Sequence, residues 1–260
     1  MNKITFLLIV LLSITFTSTG YADDSALADL FSSKGVHGTI VISVLDGSKT
    51  YTHNDERANE RFVPGSTFKV PNTLISLEKG AVGDEKETIK WDGKDKGLPD
   101  WNKDQSLETA LPSSCVWFYQ ELAKRVGKET YMSYLAKMHY GNELTGRDVT
   151  TFWLEGDLKI SAVEQIAFLK KLYAKEYAFK PSSYEILRKL MVVEQNATFT
   201  IRAKTGWAQR VTPQVGWFVG YVESGDNIWF FAMNMEIKNP AEARFRKELT
   251  MDALRLKGII

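Results

Sequence analysis

Ser66 and Lys69 stand three residues apart in Pro64-Gly65-Ser66-Thr67-Phe68-Lys69. At the start of a helix that spacing puts both side chains on one face. The lysine can then assist removal of the serine proton, and the helix's free backbone N–H groups favour the negative charge that develops. The same pattern recurs in Ser76-Leu77-Glu78-Lys79, which reads as an ordinary exposed helix end before Gly80. The first copy differs in its setting. Pro64-Gly65 makes a turn just upstream, Phe68 and Val70 bracket the lysine with apolar side chains, and Pro71 falls within the first turn, where a missing N–H costs little.

Three further groups carry chemistry-bearing residues. Lys204-Thr205-Gly206 follows a strand-like stretch, Thr198 to Ala203. A glycine there lets a substrate backbone lie close to the strand edge, and the lysine supplies positive charge; the alternative is a plain strand end. Ser114-Cys115-Val116 opens a helical stretch, where the alternative is a capping serine. Tyr140-Gly141-Asn142 is most simply a helix stop and turn. Cys115 reads as a small apolar filler and not as a nucleophile, with no histidine beside it in sequence. His37, His53 and His139 are scattered without an H-x-H or H-E-x-x-H pattern, so no metal site is expected. No Gly-x-Ser-x-Gly elbow or glycine-rich phosphate loop is present.

The elements that must position these residues fall into a pattern. His37 to Val44 is β-branched and is followed by Asp46-Gly47 and Lys49 to Thr52, which predicts a hairpin. Val215 to Val222 and Ile228 to Met235 are further strand candidates, joined by a turn at Ser224 to Asn227. Ser114 to Val126, Lys128 to Met138, Ser161 to Lys175 and Ser182 to Val193 carry helical spacing of apolar residues. Pro240 to Leu256 predicts a closing helix with Gly258 past its end. The simplest assembly is an α/β fold of the α+β type. An antiparallel sheet from the N- and C-terminal segments is flanked by helices, with a helical lobe inserted. The expected division is a signal peptide at 1–22 and one domain at 23–260, its sheet lobe near 23–65 and 195–260 and its helical lobe near 66–194.

Composition narrows the function classes. With 44% hydrophobic, 12% aromatic and 25% charged residues, the 260-residue chain is globular and neither disordered nor fibrous. Met1-Asn2-Lys3, the apolar run Ile4 to Phe16 and the small-residue stretch to Ala22 follow the plan of a secretory signal, with cleavage near Ala22. The run is too short for a spanning helix of about 20 apolar residues, so a periplasmic or secreted protein with no stable membrane anchor is expected. Lys3 is the only charged residue of that segment, which leaves 32 basic against 32 acidic residues in the remainder. A neutral chain is a poor nucleic-acid binder. Its one cysteine excludes an intrachain disulfide. A monomer and a homodimer both fit.

Taken in order, Ser66-Thr67-Phe68-Lys69, Ser114-Cys115-Val116, Tyr140-Gly141-Asn142, Trp153-Leu154-Glu155-Gly156 and Lys204-Thr205-Gly206 resemble the successive motifs of class D serine β-lactamases, the oxacillinase group. The Ser-x-Val form separates this group from class A enzymes and many penicillin-binding proteins, which place an asparagine there. The resemblance implies a serine β-lactamase or transpeptidase-like fold and hydrolysis of penicillins, small-molecule β-lactams, through an acyl-enzyme on Ser66. It implies no cofactor beyond the carbon dioxide or bicarbonate that carboxylates Lys69, the general base, to N6-carboxylysine. Burial lowers a lysine pKa in the direction that reaction needs, and Phe68, Val70, Val116 and Leu154 are the apolar candidates for it.

The remaining roles also come from the resemblance. Trp153 would donate its indole N–H to the carbamate, against the alternative of plain core packing. Backbone N–H groups of Ser66 and Trp207 would hold the oxyanion. Ser114 would relay a proton to the leaving nitrogen with Lys204 in support. Val116, Leu154, Thr205 and Gly206 line the substrate, and Thr205 and Arg246 grip its carboxylate, although Arg244 lies two residues from Arg246. Tyr140 is expected as a wall of the site and Glu155 in a structural role. Trp101, Trp117, Trp207 and the 209–214 stretch are expected to set the substrate spectrum. The runner-up is a β-lactam sensor or penicillin-binding protein that is acylated without efficient turnover.

Overall fold

A computed structural model describes residues 24–260; the expected signal segment and its cleavage point lie outside the described residues. In chain order the first elements are α1 (Ser25–Ser33), β1 (Gly38–Val44), β2 (Thr50–His53) and α2 (Asp55–Asn59). A 3-10 turn, Gly65–Phe68, then runs straight into α3 (Lys69–Glu78). A short 3-10 turn at Pro99–Trp101 precedes α4 (Leu107–Ala110), α5 (Val116–Val126), α6 (Lys128–Met138), α7 (Ala162–Tyr173) and α8 (Pro181–Leu190). The chain closes with β3 (Val192–Gln195), β4 (Phe199–Ala208), β5 (Val215–Ser224), β6 (Asn227–Glu236), a 3-10 turn at Pro240–Arg244, and α9 (Phe245–Leu256).

The six strands form one antiparallel sheet in the order β2-β1-β6-β5-β4-β3. N-terminal and C-terminal strands meet at β1–β6, where Ile40 pairs with Met233. Side chains alternate between the faces, as strand geometry requires. Ile40, Ile42, Phe218, Phe231 and Met233 pack with Leu27 of α1 and Leu249 of α9 on one face. Val41, Trp217, Val219, Phe230 and Ala232 join the cluster built by the helices between α2 and α8 on the other. The chemistry sits where β4 meets the turn leading into α3.

Local sequence explains most boundaries. Ser161 and Glu164 form a reciprocal capping box, with Ser161 Oγ accepting from Glu164 N at 3.1 Å and Glu164 Oε2 accepting from Ser161 N at 2.9 Å. The expected helix from Ser161 therefore begins one residue later, with Ser161 outside it. Three expectations need correction. Lys204-Thr205-Gly206 lies inside β4 and not after it, because β5 continues the ladder from Lys204↔Val219 to Ala208↔Val215. The helix expected to run to Val193 stops at Leu190, and the next residues form β3 on the sheet edge. Ser76 is buried, its hydroxyl donating to Asn72 Oδ1 at 3.0 Å, so only the Lys79 end of that second copy is exposed.

Candidate active site

Ser66 lies on the 3-10 turn and Lys69 is the first residue of α3, so the two share one continuous helical face. Lys69 Nζ donates to Ser66 Oγ at 2.8 Å. Gly65 makes the turn possible on two counts. Its φ of +54° lies in the left-handed region, and a Cβ there would stand 3.0 Å from the carbonyl carbon and 3.1 Å from the nitrogen of Trp207. The backbone N–H of Trp207 is thereby held beside the Ser66 turn.

Lys69 is completely buried. The Tyr119 ring centroid lies 5.2 Å from its amine, and no ion pair reaches it among the described residues. Desolvation pulls its pKa down from the ordinary lysine value to about 7, with Cys115 opposing weakly. Burial pushes the Cys115 thiol up, which agrees with an inert filler. The apolar surround is more aromatic than the sequence suggests: Phe68 packs against Trp153 at 5.6 Å, Phe152 at 5.0 Å and Tyr140 at 5.8 Å. Trp153 is thus a core residue, yet its Nε1 is buried without an acceptor.

The opposite wall comes from β4 and the start of α5. Ser114 has φ +56°, an uncommon conformation for a serine, and its Oγ accepts from Lys204 Nζ at 2.5 Å. The N-cap position of α5 belongs to Cys115, so the capping alternative for Ser114 is set aside. Lys204 is buried, and its pKa falls well below the usual lysine value through burial first, then through Lys69, Arg246 and Lys247.

Gly206 is where β4 touches the turn. A Cβ there would stand 2.7 Å from the Pro64 carbonyl oxygen and 2.9 Å from Thr67 Cγ2. Arg246 crosses the sheet beneath it, with Nη1 donating to Gly206 O and Nε to Ala243 O, both at 2.6 Å. Gly216 leaves room for that crossing, since a Cβ on it would meet Arg246 Cδ at 2.7 Å. Burial lowers the Arg246 pKa to about 10. Arg244, by contrast, is exposed and pairs with Glu248 at 3.8 Å. Of the two arginines only Arg246 faces the cavity.

These walls enclose a cavity of about 300 Å³. Ser66, Ser114, Val116, Leu154, Thr205, Gly206, Trp207 and Arg246 all line it, whereas Lys69, Trp153 and Lys204 stand behind it. Trp101 lines it too, held by Nε1 donating to Ser113 O at 2.9 Å, while Trp117 donates to Trp101 O at 2.8 Å from behind. Of the 209–214 stretch, Gln209 and Arg210 reach the cavity, and Gln214 Oε1 accepts from Trp207 Nε1 at 2.9 Å. Tyr140 is not a wall. It is fully buried behind the turn, where Gln165 links its hydroxyl at 3.4 Å to Thr67 Oγ1 at 3.1 Å. Leu98 and Ser113 were not anticipated, because nothing in their local sequence marks them. Glu155, exposed and outside the lining, pairs with Arg210 at 3.2 Å.

Known proteins share this architecture. Residues 38–255 match the family described as the penicillin binding protein transpeptidase domain. β-Lactamase OXA-48 of Klebsiella pneumoniae is 42% identical over 86% of this chain and 84% of its own length. β-Lactamase OXA-5 of Pseudomonas aeruginosa is 36% identical over 98% and 97% respectively. The class D β-lactamase FUS-1 (OXA-85) of Fusobacterium nucleatum superposes with a TM-score of 0.89 at 38% identity, covering 92% of this chain and 99% of that one. A buried lysine bonded to a serine at the floor of the cavity, a second serine–lysine pair facing it, and near full-length similarity of sequence and fold place the chain in the class D β-lactamase family.

Proposed function

We propose that the protein hydrolyses the β-lactam amide of penicillins through an acyl-enzyme on Ser66. The observation that carries this reading is the 2.8 Å bond from a fully buried Lys69 to Ser66 Oγ. With a pKa of about 7, Lys69 is substantially neutral at neutral pH, and a neutral amine both accepts a proton and reacts with carbon dioxide. Thr205 and Arg246 orient the substrate carboxylate, which sets the lactam carbonyl over Ser66. Ser66 attacks that carbonyl, and its own N–H with that of Trp207 receives the developing oxyanion. The Ser66 proton, taken up by Lys69, passes through Ser114 to the leaving nitrogen, and Lys204, which donates to Ser114 Oγ at 2.5 Å, supports that relay.

Carboxylation of Lys69 supplies a pair of oxygens suited to take protons from serine and water. The pocket suits such a group, since the Trp153 indole N–H is a buried donor without an acceptor and its ring stacks on Phe68, the neighbour of Lys69. Val116 and Leu154 keep that region apolar. We further read the protein as exported to the periplasm or secreted after cleavage near Ala22, acting as a monomer or homodimer; no helix among the described residues is long and apolar enough to cross a membrane.

The test is benzylpenicillin turnover by the purified protein with and without bicarbonate, followed by intact mass of the trapped enzyme and of Ser66→Ala. Sustained turnover that bicarbonate raises, with an adduct absent from Ser66→Ala, is the expected result. One stoichiometric adduct without turnover would make the protein a β-lactam sensor or penicillin-binding protein. A retained adduct on Ser66→Ala would remove Ser66 as nucleophile.

A further inference from the structure

A second cavity, of about 290 Å³, lies between α7, α8 and β5 and shares no lining residue with the one at Ser66. Leu172, Leu187 and Met191 supply its aliphatic walls, and Tyr173, Tyr184 and Tyr221 its aromatic ones. Tyr221 is the unusual member. It is 3% exposed, it lines the cavity, and its hydroxyl, open to that cavity, makes no hydrogen bond to another described residue. Hydroxyls of inward-facing tyrosines normally find a partner. Its neighbour Tyr184 does so, donating to Tyr177 O at 2.8 Å. The Tyr173 ring stands edge-on to Tyr221 at 5.2 Å and fixes the ring whose hydroxyl is left over.

The charges at the rim are matched. Lys175 pairs with Glu185 at 2.8 Å, and Arg188 pairs with Glu223 at 2.7 Å. An ionic ligand would have to break one of these pairs. A neutral ligand would not. The volume is at the small end of ligand pockets, which run from about 300 to 1,000 Å³, so the occupant is a single ring.

We propose that this cavity is a second small-molecule site, taking a neutral single-ring aromatic compound with one hydroxyl, a phenol, whose oxygen pairs with the hydroxyl of Tyr221. The aliphatic walls grip the ring faces, and the tyrosine edges favour an aromatic over an aliphatic guest. The site does not depend on the reaction at Ser66, and its failure would leave that reading untouched.

Phenol and toluene titrated into the full protein, with the Met191 methyl resonance and a fluorinated phenol followed by NMR, test the assignment. Saturable phenol binding that shifts the Met191 methyl is expected. Tyr221→Phe should weaken phenol about fivefold, the size of one net hydrogen bond, and leave toluene unchanged. Leu187→Trp should fill the space and abolish both. Melting curves and penicillin turnover matching the parent show that each variant is folded. Absence of saturable phenol binding would mean that only water meets the Tyr221 hydroxyl, and the proposal falls. Equal phenol affinity in parent and Tyr221→Phe, or a Met191 methyl that does not respond, would overturn it as well.

Discussion

Replacing Gly206 by alanine should separate the two walls of the active site without touching any reacting group. The added Cβ meets the Pro64 carbonyl oxygen at 2.7 Å, Thr67 Cγ2 at 2.9 Å and Trp217 Cβ at 3.1 Å, where ordinary contact begins at 3.4 Å. Relief therefore requires about 0.7 Å of movement between β4 and the Ser66 turn. Neither side yields locally. The Pro64 oxygen is bonded by Thr67 N at 3.2 Å and Thr67 Oγ1 at 2.9 Å, and Gly206 is held in the β4–β5 ladder opposite Trp217, whose side chain is itself buried. Ser66 and Lys69 move together, so their bond survives, while Ser66 is displaced relative to Thr205 and the Trp207 N–H. Overpacking of this kind costs about 1–3 kcal/mol. For a chain this long each kcal/mol lowers Tm by about 2–4 °C, so Tm should fall by roughly 2–12 °C. A misplacement approaching 1 Å should lower kcat/KM for benzylpenicillin by about 10²-fold. Thermal melts and stopped-flow acylation read the two effects. Unchanged Tm would refute the packing argument. A lowered Tm with unaltered acylation would refute the claim that this contact sets the distance between the walls.

Lys69→Met removes a buried amine whose pKa is depressed in the folded state. Below about pH 7 the parent carries that lysine protonated and desolvated, a penalty relieved as pH rises from about 7 toward the unfolded value of 10.5. In bicarbonate-free buffer the variant should therefore be the more stable protein at pH 6, with the gap closing toward pH 10; a gap independent of pH would show that Lys69 titrates normally. Trp153→Phe keeps an aromatic ring against Phe68 and removes the unpartnered N–H, so half-maximal activity should need more bicarbonate, with a loss of stability from the smaller ring that bicarbonate does not restore. Equal bicarbonate dependence would leave Trp153 as core packing alone. Arg246→Ala should raise KM for penicillins at least tenfold, the order expected for losing a charge-assisted hydrogen bond, and Arg244→Ala should leave it unchanged. Equal effects of the two would contradict the burial difference between them.

What could be read in the sequence was mostly what is local. The β1–β2 hairpin follows from a β-branched run and Asp46-Gly47, and α6 has the expected bounds, Lys128–Met138. The motif residues were legible because a serine–lysine spacing of three is itself a local geometry. Features set by distant partners were not. β4 extends through Lys204-Thr205-Gly206 because β5 pairs with it there, and no residue before 208 announces the end of the strand. β3 escapes notice because all four of its residues are exposed and follow a helix directly. The choice of Arg246 over Arg244 depends on Gly216, about thirty residues away in sequence, whose missing side chain opens the crossing. The positive φ of Ser114 also lies beyond sequence reading, since serine is not a residue that ordinarily adopts it. Helix α1 was detectable: Leu27, Leu30 and Phe31 keep helical spacing, and Asp24 accepts from Leu27 N at 3.3 Å as its cap.

The two serine–lysine repeats, one at each end of α3, show what spacing alone does not decide. Ser66 and Lys69 stand at the N-terminal end, where backbone N–H groups favour an anion and the amine is buried. Ser76 and Lys79 stand at the C-terminal end, where the dipole favours a cation and Lys79 is exposed to solvent, so nothing desolvates its amine. Ser76 Oγ is instead committed to Asn72 Oδ1, which also accepts from Tyr131 at 2.8 Å. Ser76→Ala should thus cost about 1 kcal/mol of stability, because Asn72 keeps a second donor. Penicillin labelling of that variant should remain stoichiometric and on Ser66. Loss of labelling in a folded Ser76→Ala protein would mean that burial and helix polarity do not separate the two copies, and the assignment of the nucleophile would have to be rebuilt from the second.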